Sequence, residues 1–390
     1  MNYELTPDQM ILNNKYMLFC QREIAPHAVM LDKGSGADIR EIMKNNLKKL
    51  SDFGYFAMFH STEYGGTQET ALSQALAGEA IAKACPSTFL SAITNAEKFS
   101  LVLSHFGGHA QRKKYIPDVI RGSAIGTLAV YESEPGSDAT AMQTIAVKKS
   151  DGWVINGAKS FVVNASIADV FLILAYTDAS SGAESGMSCF ILEKNTPGLS
   201  VSDEWEKMGY RGAPVSDIEL RNCEVMDDSL LHEIGKGYEI LSRAAELGKI
   251  STALASLGIT SACLEEAGRH SKERKSYGRV INRYQEVAFK LSDIMILNDL
   301  SRLMIYKAIW ARETGHHESA VLSSCAKVFA TEAATQAANL AVQIFGGHGY
   351  MKNCMVERLY RDAKLGELMD GTSELQRVFI AKNLTDQFSR

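Results

Sequence analysis

Trp153-Val154-Ile155, Phe161-Val162-Val163, Val170–Ala175 and Cys189-Phe190-Ile191-Leu192 are short apolar runs, set among the turn signals Asp151-Gly152, Asn156-Gly157 and Asn195-Thr196-Pro197-Gly198. Runs of this length, at near-regular spacing and with polar turns, predict an antiparallel sheet or small barrel rather than βαβ units. The β-rich character spans roughly Thr127 to Val225, and the chain reads differently on either side.

Downstream, proline placement decides the reading. All seven prolines (Pro7, Pro26, Pro86, Pro117, Pro135, Pro197, Pro214) lie in the first 214 residues, and a helix interior excludes proline. The proline-free remainder has helical periodicity in Ile250–His270, Gln285–Glu313 and Ser319–Val342 and is rich in Ala, Leu, Lys and Glu, which predicts long packed helices in a bundle. Upstream, Thr6-x-x-Gln9 reads as a capping box, and apolar residues recur at helical spacing through Ile39–Phe56 and Leu72–Ala84. The expected plan is an N-terminal α-helical domain (1–120), a middle antiparallel β-domain (121–229) and a C-terminal helical bundle (230–390). A chain of 390 residues exceeds the size at which single cores stop growing, which agrees with several domains. No internal repeat is apparent.

Composition narrows the function classes. With 46% hydrophobic residues, 22% charged and a net charge of −5, the chain reads as globular and lacks the positive field that nucleic acid or an anionic membrane would need. Its longest unbroken apolar stretches, such as Val170–Ala175, fall short of a membrane span. Met1–Asp8 carries two acids and no apolar segment, so neither a secretory nor a transit leader is read there, and a cytoplasmic location is expected. Seven scattered cysteines without a Cys-x-x-Cys pair argue for reduced thiols, against disulfides or zinc. P-loop, nucleophile-elbow and His-Glu-x-x-His motifs are absent from the sequence. His105 and His109 flank Gly107-Gly108, a poor arrangement for a metal. Gly346-Gly347-His348-Gly349 lacks the preceding strand of a dinucleotide fingerprint and, taken alone, reads as a turn between helices.

Taken together, the segments are more specific. Gln343–Met351, Val356–Lys364 and Asp370-Gly371-Thr372-Ser373-Glu374-Leu375-Gln376-Arg377 strongly resemble the acyl-CoA dehydrogenase family. Glu273–Arg279 with Gln285, Glu132 with Gly136-Ser137-Asp138, and Asn156-Gly157-x-Lys159 leading into Phe161–Asn164 extend the resemblance over essentially the whole chain. It implies helices, a middle β-domain and a C-terminal four-helix bundle, the plan already reached from prolines and periodicity. It also implies FAD, an acyl-CoA substrate, an electron-transferring flavoprotein as electron acceptor, and a homotetramer or less often a dimer.

By position in the family, Tyr131, Ser137 and Phe161, Val162 and Val163 look like flavin-side contacts. Arg274, Gln285, Gln343, Gly346 and Gly347 look like contacts to the pyrophosphate and adenosine, where a guanidinium and closely approaching glycine backbone suit an anionic dinucleotide. A Gly-Gly pair that merely ends a helix is the plainer alternative. Thr372 and Glu374 look like further cofactor neighbours. Ser137, Glu246, Lys249, Asp370 and Gly371 fall at substrate positions.

The family's chemistry asks a base to take the proton next to the thioester carbonyl while a hydride passes from the next carbon to flavin N5. Where the family usually has Glu-Gly-Thr, this chain has Asp370-Gly371-Thr372, so Asp370 is expected to be the base. The plainer reading makes Asp-Gly a turn, with Ser373-x-x-Gln376 as the capping box of the next helix. The family's other base location is Gly248 here and cannot serve. A carboxylate one methylene shorter leaves room beside the α-carbon, which points toward a cyclic acyl group such as a cyclohexane- or cyclohexene-carboxyl thioester. Phe89 at the position where glutaryl-type members place an arginine disfavours a dicarboxyl substrate. Tyr131, Ser133, Phe161 and Val163 depart from the family pattern near the flavin. A nitroalkane-oxidase-like oxidase, an acyl-carrier-protein thioester dehydrogenase and a non-catalytic acyl-binding scaffold are the competing readings.

Overall fold

The chain enters its first helix, α1 (Pro7–Glu23), through a reciprocal cap: the Gln9 amide donates to Thr6 Oγ1 at 3.3 Å, and the Thr6 amide donates to Gln9 Oε1 at 2.9 Å, with Pro7 pre-set for the first turn. The computed structural model describes residues 4–134 and 136–388. Residues 1–3, on which the reading of the leader partly rests, and Pro135 lie outside the described residues. Helices α2 (Ala28–Lys33), α3 (Gly36–Asp52), α4 (Ala71–Ala84), α5 (Pro86–Ile93), α6 (Val102–Phe106) and α7 (His109–Arg121) complete the N-terminal unit. Between α5 and α6, Thr94–Leu101 winds as a π-helix, so the helical path runs on from Pro86 to Phe106 with a widened middle. Such widened turns are rare and gather at functional sites. Asn95, Glu97 and Lys98 all lie on it.

The middle unit is an eight-stranded sheet: β1 (Gly126–Ala129), β2 (Ile145–Lys148), β3 (Gly152–Val163), β4 (Val170–Tyr176), β5 (Met187–Glu193), β6 (Leu199–Glu204), β7 (Val215–Met226) and β8 (Leu230–Leu231). Its order is β6-β7-β3-β2-β4-β5-β8, with β1 beside β4. Most pairings are antiparallel, but β1 and β2 run parallel to β4, so the sheet is mixed where the apolar runs alone suggested a purely antiparallel one. Every residue of β4 is buried, which explains why its sequence is an unbroken apolar run.

A short helix, α8 (Gly182–Gly186), precedes β5. The C-terminal unit comprises α9 (Gly237–Glu273), α10 (Gln285–Glu313), α11 (Ser319–Phe345), α12 (Met355–Leu368) and α13 (Ser373–Phe388). Helix α9 packs against α4, α10, α11 and α12. It is long and apolar enough to cross a membrane, yet 89% of its most apolar window is buried inside the protein, as expected for the central helix of a bundle.

Two side chains bind the helical rod to the sheet. Asn95 Oδ1 accepts from the Gly126 amide at the start of β1 (2.8 Å), and Asn164 Nδ2, just beyond β3, donates to the Ser91 carbonyl (2.9 Å). Tyr210 and Ala213, from the β6–β7 connection, join Val163 and Met369 in one apolar cluster with α9, α11 and α12. The end of β3 and the α12–α13 connection are thereby held in the same packed region.

Candidate active site

The α12–α13 connection contains two successive left-handed residues, Asp370 (φ 53°) and Gly371 (φ 84°). Asp tolerates that conformation better than most side chains, and Gly adopts it freely. The turn makes Thr372 the cap of α13: its Oγ1 accepts from the Leu375 amide at 3.3 Å, and its carbonyl accepts from the Gln376 amide at 3.0 Å. The Ser373-x-x-Gln376 capping box of the plainer reading is therefore replaced by a cap one residue earlier. The Gln376 side-chain amide instead donates to the Asp370 carbonyl at 3.2 Å, fixing the turn from below.

The Asp370 carboxylate is held on both oxygens. Oδ1 accepts from Lys98 Nζ at 2.6 Å and Oδ2 accepts from Thr252 Oγ1 at 2.8 Å. Lys98 also donates to the Ala244 carbonyl at 2.8 Å. Ala244, Gly248 and Thr252 recur every four residues along α9 and present one face to the pair. A Cβ at Gly248 would overlap both the Lys98 ammonium and the Asp370 carboxylate. The absence of a side chain there, which the sequence marks as the missing alternative base, is what admits this ion pair.

Around the pair the charges are mixed. Burial pushes the Tyr131 phenol up to about 12, aided by the negative charge of Asp370, so the phenol stays neutral although the residue is 37% exposed. Glu97 is buried and accepts from Ser251 Oγ; burial raises its pKa, against the pull of Arg312. Lys327 is fully buried on α11 and donates to the Glu367 carbonyl at 3.3 Å. Burial lowers its pKa to about 8, against the attraction of Asp370, Glu367, Glu374 and Glu332.

A pH test follows from Lys327. Its folded value lies below the ordinary 10.5, so between those two values the unfolded chain binds the extra proton and the folded chain does not. Stability due to this lysine therefore rises as pH increases from about 8 to 10.5. Melts of wild type and Lys327→Met across this range should show the wild type gaining relative to the variant. A constant difference would contradict the burial cost.

The remaining expected site residues fall in three places. Phe161 (φ 57°, 60% exposed) is pinned by its amide to Asp217 Oδ1 at 3.0 Å, and its ring lies 5.7 Å from that of Trp205. Trp205 is itself 48% exposed and donates its ring N–H to the same carboxylate oxygen at 2.9 Å. Val162 is buried and Val163 half-buried, its carbonyl accepting from Thr127 Oγ1 at 2.6 Å; Ser137 is exposed on the loop after Glu132. At the far end of the bundle, Arg274 caps α9, Gln285 opens α10, and Gln343 lies in the last turn of α11, all three exposed. Gly346 ends α11 with φ 61°, and neither it nor Gly347 faces any atom where a side chain would project.

Glu246 and Lys249 do not converge. Glu246 pairs with Arg243 at 2.9 Å, whereas Lys249 reaches Ser324 at 3.0 Å and lies 4.4 Å from the Phe379 ring centre. Gly371 faces the Gln376 amide, and Glu374 is an exposed residue of the first turn of α13. Sequence reading missed Lys98, Thr252 and Trp205. For Lys98 a signal existed: Glu97-Lys98 is a charged pair inside the otherwise uncharged stretch Phe89–Leu103.

The described residues thus include a clamped carboxylate at Asp370, an exposed aromatic pair at Phe161 and Trp205, and open glycine backbone at Gly346-Gly347. The chain belongs to the acyl-CoA dehydrogenase family: the family's N-terminal, middle and C-terminal domain models match residues 6–123, 127–223 and 235–385. It is 37% identical to the probable acyl-CoA dehydrogenase YngJ of Bacillus subtilis, over 98% of this chain and all of that one. It is 35% identical to the cyclohex-1-ene-1-carbonyl-CoA dehydrogenase of Syntrophus aciditrophicus, over 98% of this chain and 91% of that one. Its fold matches butyryl-CoA dehydrogenase from Megasphaera elsdenii with a TM-score of 0.92 at 29% identity, covering 99% and 100% of the two chains. It is an FAD-dependent oxidoreductase of acyl-CoA thioesters. Its residues suit that cofactor: Phe161 and Trp205 offer flat apolar faces, and the unobstructed backbone at Gly346-Gly347 admits close approach.

Proposed function

We propose that the enzyme dehydrogenates an alicyclic acyl-CoA, with Asp370 removing the α-proton. The observation that carries this reading is the Asp370 carboxylate lying tight against the bare face of α9 at Gly248. A side chain one methylene shorter than glutamate, drawn toward α9, leaves space for a branched α-carbon. The likeness to the cyclohex-1-ene-1-carbonyl-CoA dehydrogenase over 98% of this chain supports the same substrate class.

In this mechanism an uncommitted lone pair of Asp370 accepts the α-proton while the β-hydrogen departs with its electron pair, and the α–β bond becomes double. Bound FAD supplies the two-electron acceptor. Tyr131 and Ser137 lie on the loop side of the site, and Phe161, Val162 and Val163 form the sheet side against the flavin. Arg274, Gln285, Gln343, Gly346, Gly347, Thr372 and Glu374 hold the dinucleotide portion. Gly371 gives the base its turn, and Glu246 and Lys249 flank the acyl end of α9. Phe89, buried on α5, offers no charge to a distal carboxylate. Electrons leave to an electron-transferring flavoprotein, and the enzyme works in the cytoplasm as a homotetramer. Phe289, Ile296, Leu300 and Leu303 support assembly: all four are exposed on α10 of the single chain, at spacings that place them along one stripe.

An anaerobic absorbance titration of the holoenzyme with butyryl-, cyclohexanecarboxyl-, cyclohexenecarboxyl- and glutaryl-CoA tests the substrate class. Bleaching of the flavin band by a cyclic thioester in preference to butyryl-CoA is expected. Faster bleaching by butyryl-CoA would remove the argument from space at the α-carbon.

A further inference from the structure

We infer that Lys98 is a positioning residue for the reaction: its ammonium orients the Asp370 carboxylate for α-proton removal. The inference rests on Asp370 being the base. Three independent segments meet in the clamp. Lys98 comes from the π-helical turn of the N-terminal unit, Thr252 from the middle of α9, and Asp370 from the left-handed α12–α13 turn. The two ion-pair partners are 272 residues apart in sequence and nearly buried, with 16% and 15% of their side chains exposed.

The geometry fixes orientation as well as charge. Lys98 cannot swing freely, because a second of its protons is committed to the Ala244 carbonyl at 2.8 Å. With Thr252 on the other oxygen at 2.8 Å, the carboxylate plane has one rotational setting. A carboxylate has about four acceptor positions, so two remain for a proton from carbon. Aspartate has fewer torsions than glutamate, and its base atoms sit nearer the backbone. A fixed plane is then the means by which a short side chain keeps a near-attack geometry. The π turn supplies the lysine at the required place on the rod, and Gly248 supplies the passage for it. Both irregularities serve the same contact.

When Asp370 accepts the proton its charge is lost, and Lys98 keeps the Ala244 carbonyl as a partner. The ammonium is therefore never left wholly unsatisfied through the cycle, which limits the cost of neutralising its counter-ion.

The test measures wash-out of the α-hydrogen into D2O for the four thioesters above, by mass spectrometry on the anaerobic holoenzyme, beside kcat, KM, FAD content and melting temperature. Lys98→Met should reduce α-hydrogen wash-out and kcat together by about 100-fold, with KM and FAD content near wild type. Lys98→Arg should recover part of the loss, since a guanidinium can pair with the same carboxylate. In an Asp370→Asn background Lys98→Met should add no further loss, because the two act as one unit.

Undiminished wash-out in Lys98→Met, with wash-out abolished in Asp370→Asn, would overturn the role of Lys98 and leave the base assignment standing. Wash-out persisting in Asp370→Asn, or absent from wild type with all four thioesters, would overturn both. A fall in kcat with wash-out unchanged would also overturn the inference, because Lys98 would then act on the redox half of the reaction. If Lys98→Met loses FAD or fails to fold, Lys98→Gln, which keeps a polar donor and removes the ammonium charge, decides: wild-type wash-out in it would overturn the inference.

Discussion

Asp370→Asn is expected to reduce the rate of flavin bleaching by an acyl-CoA by between about 10² and 10⁴ fold, the range that a positioned general base contributes. Asparagine keeps the shape of the side chain and can still accept from Thr252, but it cannot take a proton at carbon's expense. Lys98 loses its counter-ion in the variant and keeps the Ala244 carbonyl, so FAD content and melting temperature must be measured beside the rate. Asp370→Glu separates charge from reach. The restored carboxylate, one methylene longer, should regain activity first with butyryl-CoA and last with cyclohexanecarboxyl-CoA, because the added length consumes the space left for a branched α-carbon. Stopped-flow absorbance with both thioesters checks the pair of variants. Asp370→Asn bleaching at the wild-type rate would remove Asp370 as the base, and an Asp370→Glu variant that kept the cyclic preference would remove the steric explanation.

The parts legible in the sequence were those written in local pattern. Apolar runs between turns placed the strands, and the long proline-free periodic stretches placed α9, α10 and α11. Proline was a weaker guide upstream: Pro117 lies inside α7, where the tertiary packing of the helix outweighs one missing amide. Strand direction was not legible, since a seven-residue apolar run such as β4 is equally apolar whichever way its neighbours run. The place of Asp370 is readable through its motif, but the cap of the plainer turn reading lies one residue earlier than that reading puts it, because nothing in Asp-Gly-Thr-Ser announces two left-handed residues in succession. Lys98 was visible as a charge in an otherwise uncharged helical stretch; its partner was not, because a contact spanning 272 residues has no local period. Gly248 shows the same limit from the other side. Its importance lies in what crosses it, which only the fold assembles.

Lys159→Met is expected to produce the largest loss of stability. Lys159 has no exposed side-chain surface, and its ammonium donates to Glu132 Oε1 at 2.9 Å and to the Val130 carbonyl at 3.1 Å. Glu132 also accepts from the Gln143 amide at 2.6 Å, the Thr144 amide at 3.0 Å and Thr144 Oγ1 at 2.6 Å. Burial opposes the charge on Glu132, but Lys159 and these donors outweigh it and hold the carboxyl below its ordinary value of 4.5. Removing the lysine leaves a buried carboxylate without its counter-charge, a change that costs about 3–5 kcal/mol. The sign with pH follows from the lowered value. In wild type the contribution of Glu132 is fully present above the unfolded pKa near 4.5 and is lost as pH falls through the lower folded value. Wild type should therefore lose stability in that acid range faster than Glu132→Gln, where no carboxylate titrates. The damage should extend to the cofactor, because the same pair ties the loop that carries Tyr131 and Ser137 to β3, two residues before Phe161. Denaturant melts of wild type, Lys159→Met and Glu132→Gln from neutral to acid pH, with FAD release followed by fluorescence, check both statements. A Lys159→Met variant within about 1 kcal/mol of wild type at neutral pH would show that the pair is worth no more than an exposed one.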